Sequence, residues 1–180
     1  MAFDMEKPMT EQTQTPPAKP AMGMLERRRI EAEILKPVYE EMAARLGETV
    51  AQEILGAAIT RAAVQSAAAF AATEPNGTSL KSFADLQPLW TKDDALRLEV
   101  LHQDESRFDY NVTRCRYAEM YREMGLGPIG HLLSCNRDAA FCTGYDPSIR
   151  MERTQTIMQG ATHCDFRYTV DKTEGDKTEG

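Results

Sequence analysis

The chain has 180 residues, long enough for one domain with a real core and short for two. It is 42% hydrophobic and 27% charged, an ordinary balance for a globular protein. A net charge of -7 argues against nucleic acid as a partner.

The N-terminus meets acid and proline before any apolar run, unlike a secretory signal. No segment is expected to supply the roughly 20 apolar residues that cross a bilayer, so a cytoplasmic location and no membrane partner are expected. The cysteines Cys115, Cys135, Cys142 and Cys164 then read as thiols rather than disulfides. No CxxC pair occurs, and the spacing of Cys135 and Cys142 fits no common zinc pattern.

In chain order, residues 1–22 are polar and proline-rich and are expected to be disordered. Residues 23–170 form the expected single domain. Residues 171–180 repeat "DKTEG" and read as a disordered charged tail. A first helix runs from Leu25, with Ile30, Ile34, Val38, Met42 and Leu46 at helical spacing. Pro37 is expected to kink it near Glu33, and Gly47 to stop it. Residues 48–72 are Ala-rich and apolar nearly all round, the pattern of a buried or closely packed helix and a candidate face for a homo-oligomer. "SLKSFADLQPLWTKDD" is a short helix or loop.

The period then changes. Leu96, Leu98, Val100 and His102 alternate with charged residues, and Phe108, Tyr110 and Val112 do likewise, a hairpin pattern. "RYAEMYREMGLG" returns to helix, "GLGPIG" breaks it, and "HLLSCNRDAAFCTGY" is a further helix. "IRMERTQTIMQG" and "CDFRYTV" make a second strand pair. The expected fold is α+β: N-terminal helices packed with an antiparallel sheet built from two hairpins separated by helices.

Reactive side chains concentrate late in the chain. His131, Cys135, Asp138 and Cys142 follow one another at spacings of three and four, which places them on one helix face. A thiol, an imidazole and a carboxylate so arranged can supply nucleophile, base and orienting group. The same residues also fit plain roles, Cys135 as a small buried hydrophobe and Asp138 as a partner for backbone or arginine. A second cluster holds His163, Cys164 and Asp165. On a strand, Cys164 points with Phe166 toward the core, and His163 and Asp165 point away. Arg114, Arg116, Arg150 and Arg153 flank both clusters, and an arginine fork suits a small anionic substrate. "GLGPIG" lacks the Lys-Ser/Thr of a P-loop.

The blocks "RY" with Tyr121 four on, "GLG", "LLSCNRDAAFCTGYDP", "RTQTIMQG" and "CDFRY" appear in order over residues 114–168. Together they resemble the L-2-amino-thiazoline-4-carboxylic acid hydrolase family of bacteria. The resemblance implies a hydrolase that opens a cyclic amidine, its substrate a small anionic heterocycle, with no cofactor expected. Two chemical routes fit the residues. Either Cys135 is the nucleophile, assisted by His131 or His163, or Cys135 is structural and Asp138 or Asp165 is base toward water. Arg116 or Arg153 would hold the substrate carboxylate, with Tyr117 and Cys164 lining the site. Two readings of another kind stand beside this one: a non-catalytic protein that binds a small molecule or a partner, and a metal-dependent hydrolase with ligands drawn from His131, Cys135, Asp138, His163 and Cys164.

Overall fold

The computed structural model describes residues 22–171. Apart from Met22 and Asp171, the two terminal segments expected to be disordered lie outside the described residues. Helix α1 (Met24–Leu46) and helix α2 (Glu48–Ala71) form a helical pair turned at Gly47, whose φ of 85° is a left-handed value that glycine adopts without strain. Helix α1 runs unbroken through Pro37. A proline there removes one N–H, but the helix is held on both sides of it: Lys36 Nζ donates to Met124 O at 2.8 Å, and Gln52 Nε2 to Tyr39 Oη at 3.3 Å. The helical spacing of its apolar residues does not translate into burial. Ile30, Ile34, Val38 and Leu46 are exposed, and contact with the core runs instead through the small Ala32 and the half-buried Leu35, Tyr39 and Met42.

Helix α2 buries Ala51, Leu55, Ile59, Ala63 and Ala67. Against the expectation of no bilayer-length segment, this helix is long and apolar enough to cross a membrane by length and composition alone, an 18-residue window of it reaching a mean hydropathy of 1.4, a test that the core helix of a soluble protein also passes. Alanines allow one side of it to approach another helix closely, described below.

Two short helices follow, α3 (Leu80–Asp85) and α4 (Pro88–Thr91). Ser79 caps α3, its hydroxyl accepting from Ser82 N and its own N–H donating to Ser82 Oγ. Strands β1 (Leu96–Gln103) and β2 (Arg107–Cys115) form the first hairpin. Helix α5 (Arg116–Glu123), a π-helical turn (His131–Cys135) and helix α6 (Asn136–Tyr145) lead to the second pair, β3 (Ile149–Glu152) and β4 (Cys164–Val170). Strand β3 is shorter than its sequence suggests. Residues 154–163 instead form a loop with a 3-10 turn, pinned by the Asp165 carboxylate accepting from Thr154 N and Gln155 N at 3.0 and 2.9 Å.

All four strands join one antiparallel sheet in the order β1-β2-β4-β3. The α+β architecture expected from the sequence is therefore present. Registry decides where the core lies: Phe108, Tyr110 and Val112 stand opposite Tyr168, Phe166 and Cys164, so all six side chains share a face. Tyr110 and Phe166 stack with centroids 5.0 Å apart. Phe83 of α3 and Phe141 and Tyr145 of α6 cover that face. Burying each such ring stabilises the fold by about 2 kcal/mol.

Helices α2 and α6 meet at Gly144. A Cβ there would lie 2.3 Å from the Val64 carbonyl oxygen, so only glycine permits this approach. The contact sets the height of α6 above the sheet and leaves a hollow beneath its first turns.

Candidate active site

The hollow is a cavity of about 100 Å3 between α2, the π turn, α6 and the buried sheet face. One wall is aromatic: Phe70, Trp90 and Phe141, with Tyr110, Phe166 and Tyr168 from the sheet. The polar lining includes Ser134, Cys135, Arg137 and Asp138. Arg28 enters from α1, Tyr117 from α5, Arg153 from the segment after β3, and Cys115 and Cys164 from strand ends.

Asp138 and Arg153 are the central polar pair. Arg153 Nη1 donates to Asp138 Oδ2, and its Nη2 donates to the Cys135 carbonyl at 3.2 Å. The Arg153 guanidinium also lies over the Phe166 ring, 5.0 Å from its centroid. Among the described residues, no hydrogen bond engages the other Asp138 oxygen. The Asp138 side chain keeps 33% of its surface accessible, at the cavity wall. Burial pushes its pKa above the usual carboxylate value, and the Arg153 charge only partly offsets this.

The thiols are not activated. Burial, aided by the Asp138 charge, pushes Cys135 up to about 12 despite Arg153 nearby. Burial likewise pushes Cys115 up to about 11 and raises Cys164. Cys164 Sγ accepts from Ile157 N at 3.2 Å. The Tyr110 and Tyr168 hydroxyls lie 3.4 Å apart, and burial raises both pKa values, keeping the phenols neutral. Tyr117 donates to the Trp90 carbonyl at 3.2 Å.

Of the residues singled out from sequence, Cys135, Asp138, Arg153, Tyr117 and Cys164 converge on this cavity, and His131, His163, Asp165 and Arg116 do not line it. His131 precedes Cys135 by four residues, a shared face in an α-helix. The intervening turn is π-helical, and His131 does not line the cavity. Cys142 is buried in the core behind the cavity, near the Asp138 carbonyl at 3.5 Å. His163 sits beside Gln155, with 2.9 Å between its Nε2 and Gln155 Nε2. Asp165 holds the loop, and the Thr154 hydroxyl with the Thr154 and Gln155 backbone N–H groups keeps its pKa low against the effect of burial. Arg116 donates to Asp93 O at 2.8 Å. Arg114 and Arg150 make surface pairs with Glu119 and Asp171.

Among the described residues, no three of His, Cys, Asp and Glu come together as a metal-ligand group. The ligand set weighed from sequence is not assembled, because its two histidines lie away from the cavity. Residues that sequence reasoning missed are Arg28, Arg137, Ser134 and the aromatic wall. Only the sheet's share of the aromatic wall had a visible signal, the alternation of Phe108, Tyr110 and Val112 against Cys164, Phe166 and Tyr168.

Comparison with solved structures finds the crystal structure of the phenol-responsive sensory domain of the transcription activator PoxR with phenol, at a TM-score of 0.50 and 15% identity, covering 76% of this chain and 73% of that one. The likeness shows a shared fold. Comparison with curated proteins gave no match. The family model for L-2-amino-thiazoline-4-carboxylic acid hydrolase matches residues 27–168, nearly the whole described chain, and agrees with the ordered sequence blocks. The chain belongs to the L-2-amino-thiazoline-4-carboxylic acid hydrolase family.

Proposed function

We propose that this protein is a hydrolase that opens a small cyclic amidine of the 2-amino-thiazoline kind inside the cavity. One observation carries the reading. Asp138 is the carboxylate of the cavity wall, with one oxygen fixed by Arg153 and the other unengaged by any described residue. Burial has raised its pKa, which makes it a stronger base than a solvated carboxylate. Water gives a proton to Asp138 as its oxygen bonds to the ring carbon between nitrogen and sulfur. The electron pair of the carbon–nitrogen π bond moves to the ring nitrogen, which takes the remaining proton of the added hydroxyl as the C=O forms. The carbon–sulfur bond breaks, and Asp138 returns its proton to the departing sulfur. The product is a carbamoyl group on nitrogen and a free thiol. Cys135 is a poor nucleophile at rest, since burial and the Asp138 charge push its thiol up to about 12 and hold it protonated near neutral pH. Its part here is to fill space beside Asp138 and to offer its carbonyl to Arg153.

The test is incubation with a panel of cyclic amidines, thiazolines and lactams, following free thiol release and product mass. Asp138→Asn should lower turnover at least a hundredfold, within the usual range for a general base, while Cys135→Ser keeps most of it. An adduct trapped on Cys135 would reverse the two roles. The family's free-thiol chemistry, and four free cysteines among the described residues, suit a reducing cytoplasmic setting.

A second reading rests on the aromatic wall and on the fold shared with a phenol-responsive sensory domain. On that reading the cavity binds a flat ring without turning it over. Calorimetric binding of panel members with no product formed would select it.

A further inference from the structure

A second cavity, of about 290 Å3, opens between α1, α2 and α6. Arg27, Arg28, Glu31, Ser66 and Arg137 line it, and Arg28, Ser66 and Arg137 also line the first cavity. The two hollows therefore share a wall made of two guanidinium groups and a hydroxyl. Their charges do not balance. Glu31 alone receives Arg28 Nη1 at 2.8 and 2.7 Å, Arg27 Nε at 3.0 Å and Arg137 Nη2 at 3.1 Å. Three guanidiniums thus share one carboxylate, while Asp138, the acid of the first cavity, is already taken by Arg153. The side chains of Arg28 and Arg137 keep just 12% and 13% of their surface exposed, so water compensates them little. Burial and the Arg28 charge push Arg137 down to about 10. Burial would raise the Glu31 pKa, but the Arg28 and Arg137 charges hold it below the usual value, so it stays ionised.

We propose that Arg28 and Arg137 form an anion-binding portal between the two cavities, which takes the carboxylate of a ligand whose ring occupies the aromatic cavity, with Glu31 as the resident counter-ion it displaces. This rests on the first cavity holding a ligand, as proposed above, and not on turnover. Arg116 is no part of the portal, since its guanidinium donates to the Asp93 carbonyl at 2.8 Å and it lines neither cavity.

The experiment is calorimetric titration of the full chain with two pairs of probes that differ in the carboxylate: 2-amino-thiazoline-4-carboxylate against 2-amino-thiazoline, and benzoate against phenol. The wild type should bind the acid of at least one pair about tenfold or more tightly than its neutral partner, the scale of one charge-assisted hydrogen bond. Arg137→Gln and Arg28→Gln should abolish that preference, the acid losing about tenfold more affinity than its neutral partner. Should either variant fail to fold, Glu31→Gln decides the matter alone. It removes the negative charge that competes for both arginines, so the acid should bind about tenfold tighter and the neutral partner as before. Equal binding of acid and neutral partner, no binding of either acid, or an acid affinity unchanged in Glu31→Gln would each overturn the portal. Turnover assayed separately keeps the two proposals apart. Acid preference without product leaves the portal standing and removes the hydrolase, and product without acid preference does the reverse.

Discussion

Arg153 ties the side chain of Asp138 to the main chain of Cys135, with one nitrogen on the Asp138 carboxylate and the other on the Cys135 carbonyl. One residue from the segment after β3 thereby fixes the first turns of α6 and the direction in which the cavity's carboxylate points. Removing it leaves a partly buried acid without its counter-charge. Arg153→Ala should destabilise the fold by about 2 kcal/mol, less than a fully buried pair because Asp138 faces the cavity and can take up a proton. Arg153→Lys should lose about half as much, since it keeps the charge but not the fork. Adding Asp138→Asn to Arg153→Ala should recover part of the loss. Urea titration of the four proteins gives the coupling, and simple additivity would mean the pair does not act as one.

Asp138 also predicts a pH dependence. Its folded-state pKa is raised above 3.8, so the folded protein holds this proton more tightly than the unfolded chain does. The stability it contributes is fully present below pH 3.8 and is lost as pH rises through the raised folded value. Asn cannot ionise. Asp138→Asn should therefore gain in stability relative to wild type as pH climbs from 3.5 to neutrality, by roughly 1.4 kcal/mol for every tenfold by which folding weakens the acid. Urea titrations of both proteins across that range measure the gain. Asp165 and Glu31, whose pKa values are lowered, contribute in the opposite sense, but they are common to both proteins and cancel in the comparison. A constant difference across pH would mean that Asp138 titrates normally. Under the hydrolase reading, kcat/KM should rise with pH through the same raised value, because the base acts ionised.

The Cys135 thiol offers a third check. With its pKa pushed up to about 12 by burial and by Asp138, it should react with iodoacetamide at pH 8 at least a hundredfold more slowly than in the urea-unfolded chain. Asp138→Asn removes one of the causes and should speed the reaction severalfold. Peptide mass mapping resolves Cys135 from Cys115, Cys142 and Cys164. Rapid, selective labelling of Cys135 in the folded wild type would show an activated thiol and would favour the nucleophile route.

The alternations that made β2 and β4 readable also made their shared face readable, because a strand's period of two leaves little freedom in where Tyr110 and Phe166 point. The grouping of Cys135 with Asp138 was legible for a related reason: they lie one helical turn apart, and local geometry sets their neighbours. The same logic failed for His131. The turn that carries it is π-helical, a conformation with no signature in residue type, and His131 does not line the cavity. Arg28 was out of reach because it lies more than a hundred positions before Arg137, and spacing says nothing about elements that meet only after folding. On α1, Ile30, Ile34 and Val38 gave a correct helix and a misleading burial pattern, because the helix touches the core through Ala32 and longer side chains beside it.

Gly144 is where sequence, packing and cavity meet. An alanine there would place its Cβ 2.3 Å from Val64 O and 2.9 Å from Val64 C and Cα, all of them backbone atoms with no rotamer to yield. The two helices must separate, and the contact they lose is the one that holds α6 over the sheet. Gly144→Ala should cost about 3 kcal/mol, at the upper end of overpacking effects, despite the better helix propensity of alanine. Gly56→Ala is the control. It too lies inside a helix, but its nearest neighbour would be Leu132 Cδ2 at 3.5 Å, an ordinary contact. That variant should be neutral or gain up to about 1 kcal/mol. Because α2 brings Ser66 and Phe70 to the cavity and α6 brings Asp138 and Phe141, Gly144→Ala should also weaken ligand binding even where the protein remains folded, while Gly56→Ala leaves it intact. Urea unfolding gives the first pair of values and calorimetry the second. Equal stability of the two variants would mean that α2 and α6 do not meet as closely as this packing requires.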